Sequence, residues 1–245
     1  MTARISRKQK RALREEGILG ENISSNRFQM KKISPLTYNQ SVTFRAWKEQ
    51  YHLMLHGIAG TGKTFLAMYF ALTDVLDQNS PYKTLYIIRS TVPTRDQGFL
   101  PGNQKQKEAV YEDVYVEAST ELFGRGDAYN ILKQKNAVQF RSTSFLRGLT
   151  LRNCVVIVDE MQNMSDQELH TVMTRVGENC KIIFCGDVKQ DDLTSDRKKE
   201  LSGLRNFMKI IKNMVGFKFI EFLPQDIVRS DIVKEYIIER DRLGL

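Results

Sequence analysis

The stretch that most limits what this chain can fold into is Gly57-Ile58-Ala59-Gly60-Thr61-Gly62-Lys63-Thr64. It matches G-x-x-x-x-G-K-[ST] and lies between segments of opposite character. Before it, His52-Leu53-Met54-Leu55-His56 is a short apolar run of the kind buried inside a sheet. After it, Leu66, Ala67, Phe70 and Ala71 recur at helical spacing. The glycines let the backbone curl so that successive N–H groups point inward, and the following helix adds its positive dipole end at the same place. Such a loop cradles phosphate oxygens: Lys63 is expected to reach the β and γ phosphates of a nucleotide, and Thr64 to give a hydroxyl to Mg²⁺.

The rest of the chain repeats the same alternation. Strands are expected at 85–88, near Val138, and at 155–158, 181–185 and 217–222. Helices are expected within 35–51, from Lys63, within 104–123, and at 166–176, 200–214 and 231–242. Strands alternating with helices predict an α/β fold with a mostly parallel sheet covered by helices on both faces. With 245 residues, 41% of them hydrophobic, and no fixed-period repeat, one ATPase domain over 28–245 is expected. Ahead of it, 1–27 reads as a basic arm or helix, because Arg4, Arg7, Lys8, Lys10, Arg11 and Arg14 crowd together with few apolar residues between them. No apolar run approaches the roughly 20 residues that cross a bilayer, and the N-terminus has no signal-peptide pattern, so a soluble cytoplasmic protein is expected, with no membrane partner. Cys154, Cys180 and Cys185 lack zinc-site spacing and read as buried thiols, while His52, His56 and His170 show no metal pattern.

Two further strand ends carry chemistry. Val155-Val156-Ile157-Val158 runs into Asp159-Glu160, and Lys181-Ile182-Ile183-Phe184-Cys185 runs into Gly186-Asp187-Val188-Lys189-Gln190. In an open parallel sheet, ligands bind at the carboxyl ends of the strands, which brings both segments beside the phosphate loop. There Asp159 is expected to hold Mg²⁺ through water, Glu160 to polarise the attacking water, and Gln190 to contact the γ-phosphate or that water. The three strand ends together describe phosphoryl transfer from ATP to water, in which catalysis rests on positioning and charge stabilisation.

On these blocks, together with Gly98-Phe99-Leu100-Pro101-Gly102, Asp159-Glu160-Met161-Gln162-Asn163, Asp191-Asp192-Leu193 and Val228-Arg229-Ser230, the chain resembles the PhoH-like ATPases from about Ile33 to Ile238. That family's core is similar to the first RecA-like domain of superfamily 1 helicases. The resemblance implies a RecA-like P-loop NTPase fold in which Gln40 reads adenine and Gln162 couples the acidic motif to the γ-phosphate or nucleic-acid side. It also implies that Arg229 stabilises charge on the transferring phosphate, in cis or from a neighbour. Read without it, Gln40 is a helix-surface glutamine, Gln162 a polar turn residue and Arg229 a surface salt-bridge arginine. The family usually has proline at Ile58, alanine at Met161 and a histidine-proline pair at Ser230 and Asp231; the first two departures leave the phosphate and metal ligands intact.

Lysine and arginine exceed aspartate and glutamate by 37 − 29 = +8, an attractive field for polyanions. With the helicase resemblance, this points to an ATPase acting on RNA or single-stranded DNA, possible helicases included. Superfamily 1 helicases close two RecA-like domains over one ATP and this chain has room for one, so a homo-oligomer such as a hexameric ring is expected. The alternative is an ATP-dependent switch or assembly module acting on a protein partner. A small-molecule kinase would share the phosphate loop, but an Asp-Glu pair followed by Gln-Asn suits water activation better.

Overall fold

The computed structural model describes residues 28–90, 104–146, 148–187 and 197–243. The basic arm, the Gly98 to Gly102 block and Gln190 lie outside the described residues. Packing divides the chain between Lys31 and Lys32, and the architecture below is that of the second unit.

Thr37 opens helix α1 (Tyr38–Lys48), its hydroxyl accepting from the Gln40 backbone N–H at 3.3 Å. Strand β1 (His52–Gly57) leads through the phosphate loop into helix α2 (Lys63–Leu76). Then follow β2 (Thr84–Arg89), α3 (Gln104–Phe123), α4 (Ala128–Gln134), β3 (Val138–Ser142) and β4 (Cys154–Val158). The chain continues through α5 (Asp166–Arg175), β5 (Cys180–Gly186), α6 (Arg197–Lys212), β6 (Phe217–Phe222) and α7 (Asp231–Arg242).

The strands form one six-stranded sheet in the order β3-β2-β4-β5-β1-β6, and every pair is parallel. A parallel sheet is stable when both faces are covered, which is why β4 is buried at every position and its sequence shows no polar alternation. One face carries Met54, Val156, Val158, Ile182 and Phe184 against Leu169 and Val172 of α5 and Leu204, Phe207 and Ile211 of α6. Side chains of opposite parity, Leu53, Leu55 and Ile157 among them, point the other way, where α2 meets β2, β4 and β5. The expected α/β architecture is therefore what the chain adopts.

Helix α1 packs on that second face by its rings: Phe44 meets Phe70 edge-on at 4.8 Å and Trp47 stacks on it at 5.6 Å. Such aromatic pairs add about 1 kcal/mol each to their burial. Helix α4 had no counterpart among the expected elements. It follows the Gly124-Arg125-Gly126-Asp127 break and is 7 residues long, too short for periodicity to separate from a loop. It holds through the Tyr129 hydroxyl, which donates to Glu112 of α3 at 2.6 Å, and Lys133, which donates to the same carboxylate at 2.7 Å.

Candidate phosphoryl-transfer site at the carboxyl edge of the sheet

The site is assembled where the strands end. β1 lies between β5 and β6, and β5 separates it from β4; the phosphate loop therefore sits two strands away from the acidic pair, with Gly186 and Asp187 between them. Gly57 needs its missing Cβ. At φ +111°, a Cβ there would sit 2.1 Å from the Phe222 carbonyl oxygen. The loop is pinned on both sides: the Ile58 N–H donates to that carbonyl at 3.1 Å, and the Val228 N–H donates to Gly60 O at 3.1 Å. Inside it, the buried Thr61 hydroxyl donates to Ile58 O at 3.1 Å. Gly62, at φ +83°, caps α2 with no side chain on the helix's first N–H groups, which leaves them for an anion.

Lys63 curls over the loop and donates to the carbonyl oxygens of Gly57 and Ile58, each at 2.7 Å. Burial pulls its ammonium below the usual lysine range, opposed by the negative charges of Asp187, Glu160 and Asp159. Thr64 donates its hydroxyl to Asp159 Oδ1 at 2.9 Å, a bond joining residues 95 apart in sequence. Asp159 is 2% exposed. Burial pushes its carboxyl up, against the hydroxyls of Tyr115 and Thr64 and the charge of Arg89. The Thr64 hydroxyl and the Asp159 carboxylate are oxygen donors of the kind a hard cation takes. Among the described residues no cluster of three or more His, Cys, Asp or Glu is built to hold a metal. Two protein oxygens, with the rest of the shell left to water and phosphate, fit Mg²⁺.

Glu160 stands at φ 53°, ψ 44°, a left-handed conformation uncommon for a residue with a side chain. The turn re-aims the carboxylate as the strand ends. Its pKa is raised by burial and by the charge of Asp159. Gln162 bridges outward from it: Nε2 donates to Glu160 Oε2 at 2.5 Å, and Oε1 accepts from the Asp187 N–H at 3.1 Å. Gly186 makes room for this bridge, since a Cβ there would sit 2.7 Å from Gln162 Oε1. Gln162 is thus the tie between the ends of β4 and β5, rather than a free turn residue.

Gln40 is not on the helix surface. It is 4% exposed, its Oε1 accepts from the Leu36 N–H at 2.8 Å, and its Nε2 donates to Thr61 O at 3.2 Å. One N–H and one lone pair of its amide remain for a base. Arg229 follows the loop-pinning Val228, and its Cγ lies 3.1 Å from where a Cβ on Gly60 would be. The structure thus brings Gln40, the loop, Asp159, Glu160, Gln162 and the root of Arg229 to one edge. Gln190 falls outside the described residues.

Two residues of this edge were given no place in the site by the sequence reading. Arg89, the last residue of β2, bears electrostatically on Asp159, Glu160 and Tyr115; the rule that strand ends line the site would have flagged it. Tyr115 of α3 donates its hydroxyl to Asp159 Oδ2 at 2.9 Å, and nothing in its sequence surroundings distinguishes it from a core aromatic.

A family model for PhoH-like proteins matches residues 32–239. Among curated relatives, a PhoH-like protein of Synechocystis is 32% identical over 216 residues, 84% of this chain and 61% of that protein. One of Bacillus subtilis is 31% identical over 228 residues, 93% of this chain and 69% of that protein. The chain thus spans about three fifths to two thirds of the length of these relatives. Among solved structures, the large terminase of a thermophilic bacteriophage aligns with 83% of this chain and 50% of its own, at TM-score 0.48 and 11% identity.

Proposed function

This chain belongs to the PhoH-like family, and on that premise we propose that it binds and hydrolyses Mg-ATP, with turnover coupled to RNA or single-stranded DNA. The observation that carries the reading is the 2.9 Å bond from Thr64 to Asp159. It joins the phosphate loop to the acidic strand end, which supports a Mg²⁺ shared between them beside a β,γ-phosphate.

In this reading Gly57 to Thr64 wrap the phosphates with backbone N–H groups, and Lys63 moves its charge from the loop carbonyls onto the β and γ phosphates. Thr64 and Asp159 would hold Mg²⁺, which when bound would neutralise charge developing on the transferring group. Glu160 accepts the proton of the attacking water, and Gln162 holds that carboxylate toward the loop. Gln190 contributes to the same water or phosphate. Arg229 neutralises charge on the γ-phosphate, and its root beside Gly60 of the same chain favours action in cis.

Coupling to a polynucleotide is supported by the formal charge of +8. A homo-oligomer, in a ring or otherwise, is supported by α7, which buries no residue and leaves Ile232 at 77% and Tyr236 at 64% exposure next to Arg229. The same surface favours the second reading, an ATP-dependent switch on a protein partner.

The deciding experiment is steady-state ATPase activity with and without single-stranded RNA and DNA. Stimulation by either supports the coupled ATPase. Activity indifferent to both, with ATP-dependent capture of a protein, supports the switch. Hydrolysis at ordinary rate by a folded Lys63→Ala protein sinks the phosphate-loop mechanism.

A further inference from the structure

One hydroxyl reaches the metal-site carboxylate from outside both the phosphate loop and the strand ends. Tyr115 lies within α3, is 0% exposed, and donates to Asp159 Oδ2 at 2.9 Å, while Thr64 donates to Oδ1 at 2.9 Å. The charge of Arg89 bears on Tyr115 and Asp159 alike, and its guanidinium lies 5.4 Å over the ring of Tyr111, one helical turn before Tyr115. Tyr115, Asp159 and Thr64 thus form one hydrogen-bonded chain running from α3 to the first turn of α2, with the charge of Arg89 at the end of β2 beside it.

A carboxylate at a strand end turns easily about its last torsion. Donors on both oxygens fix its plane, and each oxygen keeps a lone-pair site for a metal-bound water. A buried tyrosine needs some acceptor, and a nearby carbonyl would serve. This one is instead engaged by the carboxylate on which the metal depends, within the field of the Arg89 charge.

We propose that Tyr115 is a positioning residue for the divalent metal: with Arg89 behind it, its hydroxyl sets the Asp159 carboxylate so that Thr64 and Asp159 face one cation. The inference rests on the reading of Thr64 and Asp159 as the metal's protein ligands. Groups that orient metal ligands commonly change metal affinity by about 10- to 100-fold when removed.

The test is Mn²⁺ binding, followed by electron paramagnetic resonance in the presence of ADP, set beside ADP binding in EDTA. Tyr115→Phe keeps the ring against Phe140, 6.1 Å between centroids, and removes only the hydroxyl. It is expected to weaken Mn²⁺ by about tenfold and to leave ADP binding in EDTA unchanged, with lost turnover recovered at high Mg²⁺. Arg89→Gln is expected to shift Mn²⁺ binding in the same direction by less, and it decides the matter if Tyr115→Phe melts at a much lower temperature. Asp159→Asn separates the two ideas. If Asp159→Asn loses Mn²⁺ while both other variants bind it as the wild type does, Tyr115 is a packing residue and the inference is overturned with the metal site intact. If Asp159→Asn also binds Mn²⁺ normally, the metal-site reading falls and this inference with it.

Discussion

At the scale of single residues, the proposed mechanism gives holding a nucleotide and breaking it to different side chains. Glu160 is positioned by its left-handed backbone and by Gln162, and neither constraint involves the phosphate loop. Glu160→Gln is therefore expected to retain Mg-ATP and to lose hydrolysis by at least about 10²-fold, because an amide fills the space but accepts no proton. A filter-binding assay showing trapped ATP would bear this out; turnover near the wild-type rate would mean that another group activates the water. Gln40 poses a different question, since half of its amide is already committed to Leu36 and Thr61. If its remaining N–H and lone pair read adenine, Gln40→Ala raises KM for ATP and narrows the preference for ATP over GTP. An equal loss for both nucleotides would reduce Gln40 to a brace for the loop.

Among elements, the loop and β5 show how far local chemistry depends on neighbours. Gly57→Ala is expected to destabilise the fold by on the order of 3 kcal/mol and to abolish nucleotide binding, because its Cβ would be driven into the Phe222 carbonyl, a backbone atom that cannot step aside. Thermal melts with and without ADP would check both parts. Lys181 of β5 is 1% exposed, donates to Trp47 O at 2.9 Å, sits 3.5 Å over the Trp47 ring and stands 3.8 Å from Asp74. Burial lowers its pKa from 10.5 to about 8. Between those two values the unfolded chain binds more protons than the folded one, so this group makes stability rise with pH across that window. Below the folded value the cost of burying the ammonium stands in full. Denaturant unfolding of Lys181→Met against wild type is expected to show the wild type gaining on the variant as pH rises from about 8 to 10.5; parallel profiles would refute it.

For the whole molecule, the proposed mechanism needs a positive charge brought to the γ-phosphate in addition to Lys63. Arg229 is exposed, and its root lies against Gly60. Arg229→Ala is expected to bind ATP nearly normally and to hydrolyse it on the order of 10³-fold more slowly. Mixing it with Lys63→Ala distinguishes the routes: no recovery despite proven subunit exchange supports action in cis, while partial recovery would assign the arginine to a neighbour's site. The exposed face of α7 gives an independent handle. Ile232→Asp with Tyr236→Asp is expected to lower the mass of the ATP-bound particle in light scattering, and an unchanged mass would remove α7 from any subunit contact.

The sequence by itself determined the alternation of strands and helices, the phosphate loop and the two carboxylates at a strand end, because each rests on neighbours a few residues apart. Periodicity marks the longer elements, though not the short α4, and Gly57, Gly60 and Gly62 declare their backbone conformations through their lack of a side chain. Only the tertiary structure decided the rest. The insertion of β5 between β1 and β4 sets the spacing between loop and acids, and it depends on sheet order, which no local pattern encodes. The burial of Gln40 depends on a loop that begins 17 residues later, at Gly57, and the hydrogen bond of Tyr115 and the charge facing Arg89 on a carboxylate 44 and 70 residues away. A tyrosine on a helix reads the same in sequence whether its hydroxyl meets solvent or a buried aspartate; the packing of α3 beside the end of β4 makes the difference.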